Sequence, residues 1–329
     1  MTPFEHGIFF YILFVSLIPA IIIGLLEKKL KYYGTFLSLC MMLLFIGRNK
    51  AELLSFLGFY ILQVILIKLY FLIRQKTDNI WIMRIFVFLS ILPLCLVKFS
   101  RFFTSSTLGF IGISYLTFRT VQVIIETHDG LIKEIKLIDL TYFILFFPSI
   151  SSGPIDRSRR FEKDINKTLT RKEYIDCMGN GIFRIFKGVA YKFVIASLIY
   201  TYWLSKIPSN FSINNIVQCM YAYSLYLFFD FAGYSSIAIG TGYFLGVKLP
   251  ENFNMPFLSK NMKEFWDRWH MSLSFWFRDF IYTRFVMNAM KHKWFKSRYT
   301  SSYLGFIITM LTMGIWHGNV INLRNLTIN

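Results

Sequence analysis

The sequence predicts an all-α, polytopic integral membrane protein, and three observations predict it. Hydrophobic residues fill 55% of 329 positions, with 37 Phe and 19 Tyr among them, and the mean hydropathy is +0.49. Uncharged runs close to twenty residues long recur from the N-terminus onward, the length an α-helix needs to cross about 30 Å of hydrocarbon. The segments between those runs are basic: 36 Lys and Arg face 18 Asp and Glu, a net charge of +18. On a soluble chain that excess would suggest nucleic acid. Between apolar runs it follows instead from cytoplasmic loops that retain positive charge, and it leaves a basic surface for an acidic partner or anionic lipid. No nucleic-acid partner is expected. The pattern calls for about nine or ten membrane helices plus re-entrant or interfacial pieces. With no repeat and no second soluble domain, residues 1–318 read as one transmembrane domain.

The first run, Gly7 to Leu26, is uncharged, follows Glu5 and His6 instead of a basic segment, and lacks a small-residue cleavage site. It reads as a retained membrane helix and not a signal peptide. Lys28, Lys29 and Lys31 follow it, which places the N-terminus outside. Further spans are expected at Tyr32 to Gly47, Leu53 to Ile73, Trp81 to Val97 and Leu108 to Ile125. Lys68 and Arg119 fall inside two of them and must either snorkel or face protein. Leu140 to Ser152 is apolar but short and runs into Pro148 and Pro154, as a half-span or re-entrant segment would. Asp156 to Asp176 carries seven basic and five acidic residues and reads as a solvated cytosolic loop. Gly181 to Trp203 spans again, with Lys187 and Lys192 near its start. Ile216 to Phe229 and Phe231 to Val247 are two apolar runs joined only by Asp230, a functional candidate or half of a buried pair. Cys40, Cys95, Cys177 and Cys219 are scattered without C-x-x-C spacing, as small core residues are.

Glu251 to Tyr282 concentrates the chemistry. Asn252, Asn254 and Pro256 break any helix, and Asn261 followed by Glu264 resembles a capping box, so a new helix starts near Met262. Continued through this stretch, it would put Phe265, Trp266, Trp269, Leu273, Trp276 and Phe280 on one broad face, with Asp267, Ser274 and Arg278 as a polar stripe and His270 on the border. So many charges make spanning unfavourable, and an interfacial or protein-buried helix is expected. An aromatic stripe at this spacing is ordinarily packing, and a lone histidine beside it is ordinarily structural. After the basic segment Lys291 to Arg298, a last span from Tyr303 closes on Trp316, His317 and Gly318. A histidine at a helix end beside glycine could be a catalytic base or a cap for helix carbonyls.

These residues carry a resemblance. ENFNMPF at 251–257, FWDRWH at 265–270, SLSFWFRD at 272–279 and WHG at 316–318 resemble the signature of the membrane-bound O-acyltransferase family. GISYLTF at 112–118, SSGPIDRSRR at 151–160 and DFAGYS at 230–235 are similar to its subgroup that acts in the D-alanylation of teichoic acids.

The resemblance implies a ring of membrane helices around a thinner funnel in the plasma membrane of a Gram-positive bacterium. It implies an acyltransferase that takes D-alanine from the phosphopantetheine thioester of a small acidic carrier protein on the cytosolic side and passes it toward lipoteichoic and wall teichoic acids, alongside other D-alanylation proteins. No bound cofactor is implied beyond that phosphopantetheine substrate arm, and no metal, since the thioester is already activated. His317 is implied as the catalytic residue and His270 as its partner, with Trp316, Gly318, Trp269, Arg278, Asp279 and Asp230 as the supporting set. The basic stretch 248–298, ten basic residues against four acidic, suits the carrier. The tail 319–329, NVINLRNLTIN, departs from the family, whose members continue into further apolar helices. It is expected to be a truncation that impairs activity. Two other functions stay open: a polysaccharide O-acetyltransferase of the same family, and a non-catalytic transporter or scaffold that uses Asp230, Lys187 and Arg119 as a buried polar pathway.

Overall fold

A computed structural model of the chain describes residues 3–4, 7–47, 49–103, 109–208, 210 and 212–317, the side chains at 100–103 excepted. Among these residues every regular element is helical. In chain order the first helices are α1 (Gly7–Leu25), α2 (Lys31–Ile46), α3 (Lys50–Arg74), α4 (Ile80–Phe103) and α5 (Ile113–His128). Then come α6 (Leu137–Leu145), α7 (Ser158–Asn166), α8 (Arg171–Val189), α9 (Ala196–Tyr202) and α10 (Ile213–Phe244). The last are α11 (Met262–Arg268), α12 (Met271–Phe277), α13 (Thr283–Lys291) and α14 (Arg298–His317). Among the described residues α1, α3 and the Ile80–Phe99 part of α4 are long and apolar enough to cross a membrane, and α2 is a shorter apolar helix. The chain is a multi-pass membrane protein.

It divides into two compact units, residues 1–48 with 134–254 and residues 49–133 with 255–329. The first is built on α8 and α10. A π-helical segment, Ala190–Ile195, carries α8 into α9 without a break. α10 is a single helix of 32 residues, so the two apolar runs flanking Asp230 are one element about 48 Å long. Four glycines let the backbones meet. A Cβ on Gly181 would lie 3.0 Å from the Gly240 carbonyl oxygen, and one on Gly188 would lie 2.6 Å from that of Gly233. Small residues seven apart on each helix are how membrane helices gain close van der Waals contact where lipid offers no hydrophobic drive. Across this seam the Lys192 ammonium meets the Asp230 carboxylate at 2.5 Å, so Asp230 is half of an ion pair.

α6 and the 3₁₀ turn Phe147–Ser149 form the buried centre of this unit, with residues 139–150 all inside. The expected half-span is therefore packed in protein. Its one charge is housed: Asp139 pairs with Lys31 at 2.7 Å, and Asn166 bridges the two, accepting from Lys31 and donating to Asp139. The expected loop 156–176 is largely helix. In α7, Phe161 and Ile165 are buried four residues apart, and the Phe161 ring lies 5.1–5.4 Å from those of Tyr142, Phe143 and Phe146. Two apolar side chains at helical spacing were enough to dock a segment whose charge made it read as solvated. A reciprocal capping box between Thr170 and Glu173 then starts α8.

In the second unit α3, α4 and α5 share a buried polar knot. Gln63 donates to the Ser90 carbonyl at 2.9 Å, Ser90 Oγ donates back to Gln63 at 2.6 Å, and Thr120 lies 3.1 Å from Ser90. Residues 115–127 of α5 are buried without exception, Arg119 among them. Of the two intramembrane cations, Arg119 faces protein and Lys68 is exposed along α3, free to snorkel.

Candidate active site

The stretch that holds the site begins as its sequence dictates. Asn261 caps α11, its side chain accepting from the Glu264 N–H at 2.9 Å, and the helix starts at Met262. It does not continue as one amphipathic helix. α11 stops at Arg268, Trp269 is extended, and His270 takes a left-handed conformation with φ 45° before α12 begins. The Trp269 ring stacks on Phe265 at 5.5 Å and meets Phe257 edge-on at 6.1 Å. The continuous aromatic face expected from the spacing is thus cut in two, because packing at Trp269 overrides the local helical preference. Leu273 and Ser274 donate their N–H groups to the His270 carbonyl at 3.1 and 3.0 Å, so the histidine itself opens α12. A π-helical segment, Arg278–Tyr282, then leads into α13.

His270 is buried, 6% exposed. Burial, with the nearby His317 adding to it, pushes its pKa down to about 3, which keeps the imidazole neutral. His317 closes α14 and is exposed there. Its ring meets Trp316 edge-on at 4.3 Å. Trp316 is held by Phe118 of α5 at 5.0 Å and Phe277 of α12 at 6.4 Å, and Phe118 also packs on Trp276 at 4.6 Å. Trp276 and Trp316 each bury an indole N–H that no described residue accepts, and a buried donor of this kind ordinarily has an acceptor.

The structure thus brings His270, His317 and Trp316 to one place. Trp269 lies at the turn that sets His270. Arg278 and Asp279 form an exposed pair with each other at 3.0 Å, and the Arg278 guanidinium lies 4.4 Å above Phe275. Asp230 belongs to the other unit, with Lys192. Gly318 and the tail 319–329 lie outside the described residues. Sequence reasoning passed over Phe118, though it stands inside a quoted motif, and passed over Lys98. That lysine, in the last third of α4, donates to the Trp316 carbonyl. No local signal marks it, since 218 residues separate donor from acceptor. Among the described residues no group of three His, Cys, Asp or Glu side chains could hold a metal ion.

A neutral histidine buried beside a second histidine on an aromatic bed, in a multi-pass helical protein, is a site that can accept and return a proton at the membrane. Residues 100–322 match the membrane-bound O-acyltransferase family. The teichoic acid D-alanyltransferase of Bacillus subtilis is 46% identical over 330 residues, covering 97% of this chain and 83% of that protein. That of Streptococcus thermophilus is 40% identical over 327 residues, 97% of this chain and 79% of that protein. A probable alginate O-acetylase of Pseudomonas aeruginosa is 33% identical over 214 residues, 63% of this chain and 38% of that protein. The chain belongs to the membrane-bound O-acyltransferase family.

Proposed function

We propose that this chain is the acyltransferase of teichoic acid D-alanylation, with His317 as its general base. Likeness to teichoic acid D-alanyltransferases along 97% of the chain carries the reading, and the meeting of His270 with His317 in one aromatic site supports it. The likeness to alginate O-acetylases covers 63% of the chain and leaves polysaccharide O-acetylation as the weaker alternative.

In this reading the donor is a D-alanyl thioester on the phosphopantetheine arm of an acidic carrier protein at the cytosolic side of the plasma membrane. Lys291, Lys293, Lys296 and Arg298, with Trp294 exposed among them, offer that carrier a basic docking segment. The acceptor hydroxyl, on the route to teichoic acid, attacks the thioester carbonyl while His317 takes its proton. The tetrahedral oxyanion collapses, the C–S bond breaks, and the thiolate leaves and recovers the proton from the imidazolium. Base catalysis of this kind contributes about 10²–10⁴-fold. The buried indole N–H groups of Trp276 and Trp316 are donors for substrate oxygens, and His270, neutral and out of solvent, orients or supports the acyl group. Single-turnover transfer from loaded carrier, with carrier binding measured in parallel, tests this. His317→Ala should lose transfer by about that factor and keep carrier affinity, because the base acts only at the attack step. Transfer at the unaltered rate would remove the assigned base, and lost carrier binding would make the residue structural.

A further inference from the structure

His317 occupies an awkward place for a base. The carbonyl end of a helix carries roughly half a negative charge, and a histidine there is normally stabilised in its protonated form. A protonated imidazole cannot take a proton from the attacking hydroxyl. Lys98 answers this difficulty. It reaches from α4 to the last turn of α14, donates to the carbonyl of Trp316, the residue before His317, and stands 5.9 Å from the centre of the Trp316 ring. One cation thereby occupies the carbonyl end that would otherwise attract the charge of an imidazolium.

We propose that Lys98 is a positioning residue of the acyl-transfer site: its ammonium anchors the last turn of α14 and neutralises the carbonyl end there, so that His317 stands as the free base. This rests on the reading of His317 as the base. Among the described residues, the other contacts shown at this end of α14 are aromatic or neutral. From α5 and α12, Phe118 and Phe277 lay their rings against Trp316. From the α11–α12 junction comes His270, which is neutral. The π segment and α13 approach α14 at Gly305 through Tyr282, Phe285 and Val286, about three turns away from His317.

A cap alone would also anchor the turn, so the test reads protonation. Transfer from loaded carrier is followed against pH for the full chain and for Lys98→Met, Lys98→Gln and Lys98→Arg, with His317→Ala as reference. The neutral variants should move the acid-side midpoint of activity upward by about one pH unit, so that activity is lost at a higher pH. Lys98→Arg keeps the charge and should keep the midpoint. The use of two neutral variants guards against one failing to insert, and Arg serves as the third point. An unchanged midpoint in a folded neutral variant overturns the proposal, as does a shift in Lys98→Arg equal to that of the neutral variants. Those outcomes leave the His317 reading standing, which falls if His317→Ala still transfers or loses carrier binding.

Discussion

α8 and α10 in one unit and residues 255–291 in the other mix apolar, aromatic and charged residues, toward opposite ends. The first pair runs on without interruption. Even the π segment Ala190–Ile195 keeps the helix going, and the residues that matter are glycines that bring two backbones together. The second stretch is interrupted repeatedly, by left-handed Met255 and His270 and by the π segment Arg278–Tyr282. Continuous helices give contact area, which in a membrane is the main source of helix association. Interruptions place individual groups, at the cost of backbone strain of about 1–3 kcal/mol per residue in a sparsely populated region. Strain therefore marks the stretch that holds the histidine, and close packing marks the stretch that holds none.

The largest expected effect would break the comparison on the packing side. In Gly233→Ala the new Cβ falls 2.7 Å from the Lys192 nitrogen and 2.8 Å from the Gly188 carbonyl oxygen, both backbone atoms that cannot turn aside. Overpacking of this sort costs about 1–3 kcal/mol or more. In Gly58→Ala on α3 the Cβ meets nothing within 4 Å, and the same substitution should stabilise the helix by about 0.5–1 kcal/mol. Thermal unfolding in detergent measures both. Equal stability of the two variants would mean that the seam tolerates separation and that the glycines are incidental.

The next prediction uses pH to separate the two units. His270 has its pKa pushed from 6.5 down to about 3 by burial and by His317. Between those values the unfolded chain binds a proton that the folded site refuses, so stability falls as pH drops from about 6.5 toward 3, at most about 1.4 kcal/mol per pH unit. Asp156, in the first unit, runs the other way. Burial pushes it from 3.8 up to about 6 against the pull of Arg160 and the Arg157 N–H. Its contribution is full below 3.8 and is lost as pH rises through 6. His270→Gln should remove the acid-side loss and Asp156→Asn the loss on raising pH. The check is the Tm of each variant against pH, and identical pH slopes in both variants and the parent chain would contradict the assignment.

How much of this could be read from the sequence differs between the same two regions. The spans that became α1 to α4 followed from apolar runs alone, and the α11 start followed from Asn261 and Glu264, because a cap is local chemistry. The break at Trp269 and His270 carries no Gly, Pro or Asn. It arises from ring packing on Phe265 and Phe257, a tertiary cause invisible to periodicity. α7 was hidden by its charge, since only Phe161 and Ile165 announce its buried face. The histidines entered through motif resemblance, and Lys98 had no signal at all, since only its long-range contact with the Trp316 carbonyl marks it.

The smallest predicted effect is also the sharpest for the strained stretch. If the left-handed conformation of His270 is imposed by its surroundings, a residue that enters this conformation freely should relieve it. Glycine does so without steric penalty and asparagine with a small one, whereas alanine keeps the Cβ clash of about 1–2 kcal/mol. All three substitutions lose the imidazole, and glycine and alanine leave nearly the same space behind. Their stabilities should rank glycine at or above asparagine, and both above alanine, with about 1 kcal/mol between the extremes. An ordinary helical position would give the reverse order, because alanine exceeds glycine there by about 1 kcal/mol. The sign of the difference between His270→Gly and His270→Ala in thermal unfolding therefore distinguishes a broken helix at this position from a continuous one, and transfer measured on the same pair shows whether activity follows the imidazole or the backbone.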